Sequence, residues 1–366
     1  MSPRALLHAA LADLERDLDT VEDLLALGEG HAENVRLLPY AGYRNAQTLR
    51  VHGRVVRAGE PLRPGDGTPA RMRAILALYD SAELAGVPVR VEAHGRHVDL
   101  ISDDEGYWTA DIPLGGLPLP ERTSWEAAQV SAPGRAAQAP AVPVPILAPG
   151  TDGHWGVISD IDDTVVETGA TDWLKNWRRV LVDRPSDRLV VPGAPDLFRA
   201  IARDPRAPAR PIFYVSSSPW NLYGFLLEYM ELNGLPHGPM LLKDWGLDAA
   251  KLFMSSHDAH KLAAIESILA FYPGHRFLLI GDNGQRDVSI YAQAVADYGP
   301  RVAAVFIRDV EGGCRTGPEA DLLRGIEAAG VPTYCGAGFA EAVAVFESLG
   351  LDRPAEAARA ASETPG

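Results

Sequence analysis

The sequence predicts an α/β protein: a doubly wound parallel sheet with a small flap, preceded by an N-terminal helix and a small β-sandwich-like domain. Three observations carry this. From Trp155 onward, short apolar runs alternate with longer stretches of helical period, the pattern of a parallel sheet with crossover helices. Between about residues 34 and 130 apolar residues alternate with polar ones, as in half-buried strands. The first 30 residues repeat their leucines at steps of three and four.

That opening repeat, Leu7, Leu11, Leu14, Leu18, Val21 and Leu25, makes one apolar face of a helix over 1–30. Its polar face is acidic, so docking on protein is favoured over binding to anionic lipid. Over 31–131 the strand signals are Leu49, Val51 and Val55, then Val89, Val91 and Ala93, then Val98 and Leu100. Asp103-Asp104-Glu105-Gly106 reads as a turn into a strand at 107–112, and 69–84 reads as an interrupting helix. His94 and His97 read as surface residues of a strand pair. Residues 132–150 hold five prolines, a density that disfavours helix and central strand. They are expected to be a linker or an extended edge segment. In the following unit, 151–351, strands are expected at 157–159, 212–215, 240–242, 277–280 and 302–307. Helices are expected at 194–203, 220–233, 259–271, 288–298, 319–329 and 339–349. The Ala/Glu/Pro-rich tail, 352–366, reads as disordered.

The length of 366 residues suggests about two domains. A formal charge of −15 argues against general nucleic-acid binding, which needs basic surface over phosphates. Cys314 and Cys335 are too few for a disulfide framework and read as incidental thiols in a reducing compartment. No signal peptide and no membrane-spanning run of roughly 18 apolar residues is expected. The expected location is cytoplasmic, with peripheral contact at the inner membrane face.

Chemistry concentrates where apolar runs end. Trp155-Gly156-Val157-Ile158 leads into Asp160-Ile161-Asp162-Asp163-Thr164. Acids this close repel, and a divalent cation with hard oxygen ligands relieves that. In extended backbone Asp160 and Asp162 share a side and Asp163 points away. One can then be a nucleophile and the other a proton donor, although an acidic helix cap is the plain alternative. A second run, Phe277-Leu278-Leu279-Ile280, ends in Gly281-Asp282 and continues to Asp287. Asp282 suits direct metal ligation; Asp287 suits a direct ligand, a water-mediated one or a helix cap. A third run, 212–215, ends in Ser216, Ser217, Ser218 and Pro219 at a helix start, where anions are favoured but serine caps are also common. Lys261, placed at the start of the 259–271 helix against the dipole, is explained by a nearby anion. Lys243 is its rival.

In this order the motifs resemble the haloacid dehalogenase superfamily of phosphohydrolases: Asp160-x-Asp162-x-Thr164, Ser216, Lys261 and Gly281-Asp282-x-x-x-x-Asp287. The resemblance implies a Rossmann-like core and an Mg²⁺-dependent aspartyl-phosphate mechanism. It implies Asp160 as nucleophile and metal ligand, and Asp162 as general acid/base with its backbone carbonyl on the metal. It implies Ser216 and Lys261 on the phosphoryl oxygens, with Ser217 beside them, and Asp282 with Asp287 completing the metal site. Thr164, Trp220, Asn221 and Lys243 are further candidates for the pocket.

Longer strings are similar to the catalytic domain of the actin-patch-associated phosphatidate phosphatases, over roughly 155–338. They are Ser159-Asp160-Ile161-Asp162-Asp163-Thr164-Val165, Tyr214-Val215-Ser216-Ser217-Ser218-Pro219-Trp220-Asn221-Leu222-Tyr223, Leu242-Lys243-Asp244-Trp245-Gly246 and Gly281-Asp282-Asn283-Gly284-Gln285-Arg286-Asp287. Fungal members convert phosphatidate to diacylglycerol with Mg²⁺. The strand-rich region before 131 also resembles the domain preceding the catalytic one in bacterial relatives. The stretch 167–189 is too short for a full lid. Its Trp173, Leu174 and Trp177 beside Lys175, Arg178 and Arg179 fit either a lipid surface or packing on the core. A phosphorylated membrane lipid is the leading substrate. A soluble phosphoester (a sugar phosphate or nucleic-acid end) and a non-catalytic phosphate- or lipid-binding module remain as alternatives.

Overall fold

Two sheets follow from the two kinds of hydrophobic pattern. This computed structural model describes residues 35–57, 84–134, 141–166, 190–202, 210–243, 257–310, 312–314 and 316–351. The expected helix at 1–30, the helix at 69–84 apart from Leu84, the flap at 167–189 and the tail after 351 lie outside the described residues.

The alternating region forms β1 (Val35–Pro39), β2 (Gly42–Arg44), β3 (Thr48–Arg57), β4 (Pro88–Ala93), β5 (Arg96–Ile101), β6 (Tyr107–Pro113), β7 (Ser124–Ser131) and β8 (Val142–Ala148). Their order is β1-β3-β2-β8-β7-β4-β5, with β6 on β3. Inward residues such as Val51, Val89, Val91, Trp108, Ile112, Val130 and Ile146 share one core. The expected sandwich is instead one hydrogen-bonded network. The long β3 pairs with β1 and β2 along one edge and with β6 along the other, and β5 comes to lie against β6.

The proline-rich stretch, read as a linker or an extended edge segment, is partly strand. β8 is an interior strand, pairing with β7 along its length but with β2 only at Ile146 and Leu147. Pro143 and Pro145 lie before the doubly paired stretch, so their missing N–H groups leave no ladder bond to β2 unmade.

The continuous apolar runs form the second sheet: β9 (Trp155–Asp160), β10 (Ile212–Pro219), β11 (Met240–Lys243), β12 (Arg276–Asp282), β13 (Val302–Arg308) and β14 (Thr333–Gly336). Every pairing is parallel, in the order β11-β10-β9-β12-β13-β14. Helices α1 (Ala194–Ala202), α2 (Tyr223–Leu232), α3 (His257–Phe271), α4 (Asp287–Tyr298), α5 (Gly317–Ala328) and α6 (Ala342–Leu349) cover it. Successive strand residues point to opposite faces, and both faces are apolar. Val157, Tyr214, Leu278 and Phe306 pack with Phe198 of α1, Leu226 of α2 and Phe346 of α6. Ile158, Phe213, Leu279 and Val305 pack with Ile268 of α3, Ala294 of α4 and Ile326 of α5. This is a mixed α/β fold. Among the described residues no helix is long and apolar enough to cross a membrane.

Two features depart from the sequence reading. β14 was not expected; it is only four residues long and sits at an edge. It carries Cys335 to Cys314, and the two form a disulfide with Cα atoms 6.4 Å apart. The cysteines are therefore paired, not incidental, because parallel pairing of β13 with β14 sets Cys335 beside Ile307, close to the turn that holds Cys314.

Candidate active site

Strand order changes direction between β9 and β12, with β10 on one side and β13 on the other. Ligands of open α/β sheets bind beyond the carboxyl ends of such strands. Here β9 ends at Asp160, β10 carries Ser216, Ser217 and Ser218, and β12 ends at Asp282. The turn after β12 leads to Asp287 at the start of α4.

All of these side chains are buried. Carboxylate oxygens of Asp160, Asp282 and Asp287 lie within 4.8 Å of one another. Lys261 Nζ sits 2.7 Å from Asp160 Oδ1 and donates to Asp287 Oδ1 at 2.7 Å. The contact with Asp160 is an ion pair without hydrogen-bond alignment: among the described residues neither Asp160 oxygen accepts a hydrogen bond, nor does Asp282 Oδ2. Asp282 Oδ1 accepts from the Gly284 and Gln285 N–H groups at 2.6 and 3.0 Å. Asp287 Oδ2 accepts from the Asp282 N–H at 3.2 Å. The free oxygens converge where acids outnumber the adjoining cation, which suits a hard divalent ion.

Electrostatics agree. Burial, then the acids Asp287, Asp282 and Asp162, push the Asp160 carboxyl well above the usual range against the pull of Lys261. Burial and Asp287 raise Asp282 to about 7. Burial works against the charge on Lys261, but Asp160 and Asp287 outweigh it and hold the amine protonated.

Asp162 faces another way. Its Oδ2 accepts from Ser216 Oγ at 2.6 Å and Ser218 Oγ at 3.2 Å. Burial raises its pKa despite these bonds. Its backbone carbonyl accepts from Gln285 Nε2 at 3.4 Å. The Ser216 hydroxyl thus holds Asp162 and also accepts from the Ser218 N–H at 2.8 Å. Ser217 is buried beside it. Asp163 adopts a left-handed φ of 56°; its N–H donates to the Val166 carbonyl and its own carbonyl accepts from Arg308. Thr164 is buried, with no hydrogen-bond partner for Oγ1 among the described residues.

Lys261 reaches the acids. Helix α3 begins at His257, so Lys261 lies in its second turn rather than its first. Lys243 is buried at the end of β11, two strands from β9. Trp220 stacks on Tyr40 with centroids 4.4 Å apart, while the side chain of Asn221 lies outside the described set. Sequence reasoning gave no role to Gln285, Ser218 or Arg308. Arg308 was the most findable, since it ends a strand opposite Asp282.

Residues 155–309 match the family described as "Phosphatidate phosphatase APP1, catalytic domain". The chain is 30% identical over 153 residues to phosphatidate phosphatase APP1 of Saccharomyces cerevisiae, covering 42% of this chain and 25% of that protein. It is 27% identical over 154 residues to an uncharacterized protein of Schizosaccharomyces pombe, with 42% and 25% covered. The match thus spans a quarter of the length of these relatives. A carbohydrate acetylesterase from Xanthomonas citri aligns over 80% of this chain and 65% of its own, at 13% identity and a TM-score of 0.30, too low to carry an argument. Residues 155–309 are thus similar to the catalytic domain of APP1-like phosphatidate phosphatases.

Proposed function

We propose that the chain is an Mg²⁺-dependent phosphatase of haloacid dehalogenase type, acting on phosphatidate or a related lipid phosphate through an aspartyl-phosphate. The observation that carries this is Asp160, buried, its carboxylate oxygens without hydrogen bonds among the described residues, facing Lys261 and two further acids within the segment that matches the family. The strand order and the helices on both faces support the doubly wound reading.

Asp160, Asp282 and Asp287, with the Asp162 carbonyl, would hold the metal. Bound there, Mg²⁺ would screen the negative charge of the phosphoryl oxygens and lower the cost of bringing Asp160 to them. An Asp160 oxygen attacks phosphorus as the ester P–O bond breaks. Asp162, its pKa raised by burial and its carboxyl aimed by Ser216 and Ser218, gives a proton to the leaving alkoxide. The resulting Asp162 carboxylate then takes a proton from water, whose oxygen attacks phosphorus. Inorganic phosphate leaves and the Asp160 carboxylate returns. Lys261 adds positive charge beside the transferring group.

The test is phosphate release by the purified chain from dispersed phosphatidate and a panel of soluble phosphomonoesters, with Mg²⁺ or chelator. Release from phosphatidate, abolished by chelator, is expected. No release from any substrate would overturn the reading. Release from soluble esters alone would overturn the lipid assignment.

A further inference from the structure

Beside the site, between the first sheet and the end of β10, lies a cavity of about 370 Å³. This is within the size range of small-ligand pockets. Its walls are chiefly aromatic: Tyr40, Tyr107, Trp108 and Trp220, with His52 and Thr109. Gly53 makes the room, since a Cβ there would lie 2.2 Å from the Trp108 ring. Among the described residues no lysine or arginine lines the cavity, so it offers a phosphate no cationic partner. Some of its polar groups are already engaged, while the Trp108 indole N–H has no hydrogen-bond partner among the described residues. His52 Nδ1 pairs with Thr109 Oγ1 at 2.9 Å, and burial lowers the imidazole to about 4, leaving it uncharged at neutral pH. Asp103, the acid on its rim, turns Oδ1 to the N–H groups of Glu105 and Tyr107. Leu100 and Ile101 complete the rim, and Ile101 is 68% exposed.

Position ties the cavity to the chemistry. Trp220 follows Ser218 by two residues, a Cα separation of at most about 7 Å, and Ser218 holds Asp162. An aromatic slot therefore opens within one segment of the proton donor, on the wall contributed by the other sheet.

We infer that this cavity binds the uncharged acylglycerol part of the substrate, so that the N-terminal sheet sets preference for the leaving group. The inference rests on the lipid-phosphate reading above and adds a second site to it. Aromatic and aliphatic walls gain from apolar contact, and a carboxylate would be desolvated there with no cationic partner among the described residues.

The test separates binding from hydrolysis. Dioctanoylglycerol, which carries no phosphate, is titrated calorimetrically into the full chain below its aggregation limit. Saturable binding by the wild type is expected, weakened at least about tenfold by Ile101→Asp and by Trp220→Ala, in line with losses for altered apolar pockets. The ratio of kcat/KM for long-chain phosphatidate to that for a small soluble phosphomonoester falls by a similar factor. Ile101 is exposed, so its variant should fold even if Trp220→Ala does not. Absence of saturable binding in an active wild-type enzyme, or equal affinity in folded Ile101→Asp, overturns the inference and leaves the phosphatase reading standing. Binding by a wild type that hydrolyses nothing supports the cavity and removes the phosphatase reading.

Discussion

At the residue scale, Lys261 answers for two buried carboxylates at once. Lys261→Met removes the cation from Asp160 and Asp287, and breaking a buried pair in this way costs about 3–5 kcal/mol. Denaturant unfolding without metal measures it, and added Mg²⁺ is expected to restore part of the loss. The amine's folded pKa lies above its ordinary 10.5. Its contribution is therefore complete at neutral pH and is lost only as pH rises past that value. Asp282 has the opposite effect on stability. Its folded pKa of about 7 exceeds the ordinary 3.8, so the native state holds the extra proton between those values. Its contribution to metal-free stability should fall as pH rises from about 4 to 7 and then level off. Metal binding needs the ionised carboxylate, so the Mg²⁺-induced rise in Tm should be larger at about pH 8 than at about pH 5.5. Asp160→Asn is expected to abolish turnover. Asp162→Asn should lower kcat by about 10²–10⁴, least for esters whose leaving group needs no proton. The acids were legible because they stand at the ends of apolar runs. Ser216's bond to Asp162, and Gln285's position between Lys261 and the Asp162 carbonyl, were not. Both depend on how β9, β10 and the turn after β12 sit together, which no single stretch of sequence encodes.

At the scale of elements, the turn from β12 into α4 is built with no spare room. A Cβ on Gly281 would lie 2.5 Å from Asp287 Oδ2 and 2.7 Å from the Tyr291 hydroxyl. That hydroxyl is itself tied to the Ile280 carbonyl at 2.8 Å. Gly281→Ala must push α4 away from the strand end, at a cost of about 1–3 kcal/mol. Because Asp287 moves with the helix, metal affinity should weaken more than stability does. Calorimetric Mg²⁺ titration set beside a thermal melt checks this. The strands of the second sheet were readable since each is a run buried on both faces, and the helices since they bury one stripe. β8 was misread because proline statistics describe strands paired on both sides, and Pro143 and Pro145 lie where pairing is to β7 alone. β14 escaped because four residues at an edge carry no period.

At the scale of the whole molecule, the two sheets share their cores, so the chain should unfold as one unit across the division near residues 132–150. Tyr43 of β2 packs its ring against Phe213 of β10 and Phe271 of α3, with centroids 5.3 and 4.8 Å apart. Trp125 and Leu147 join the same cluster. Leu38, Tyr40 and Val56 belong to the cluster on the opposite face of the second sheet. Hydrogen bonds cross as well: the Ala41 N–H donates to the Tyr223 hydroxyl at 2.8 Å, and Asn45 Nδ2 to the Phe271 carbonyl at 2.8 Å. Separating the sheets would expose these aromatic faces together, and each large aromatic removed from a core costs about 3–5 kcal/mol. Neither sheet should therefore outlast the other on heating. Scanning calorimetry of the full chain is expected to give one transition whose calorimetric and van't Hoff enthalpies agree. Tyr43→Ala should lower its midpoint without splitting it. Two resolved transitions, or a folded fragment of 151–351 as stable as the whole chain, would show instead that the shared aromatic layer contributes little.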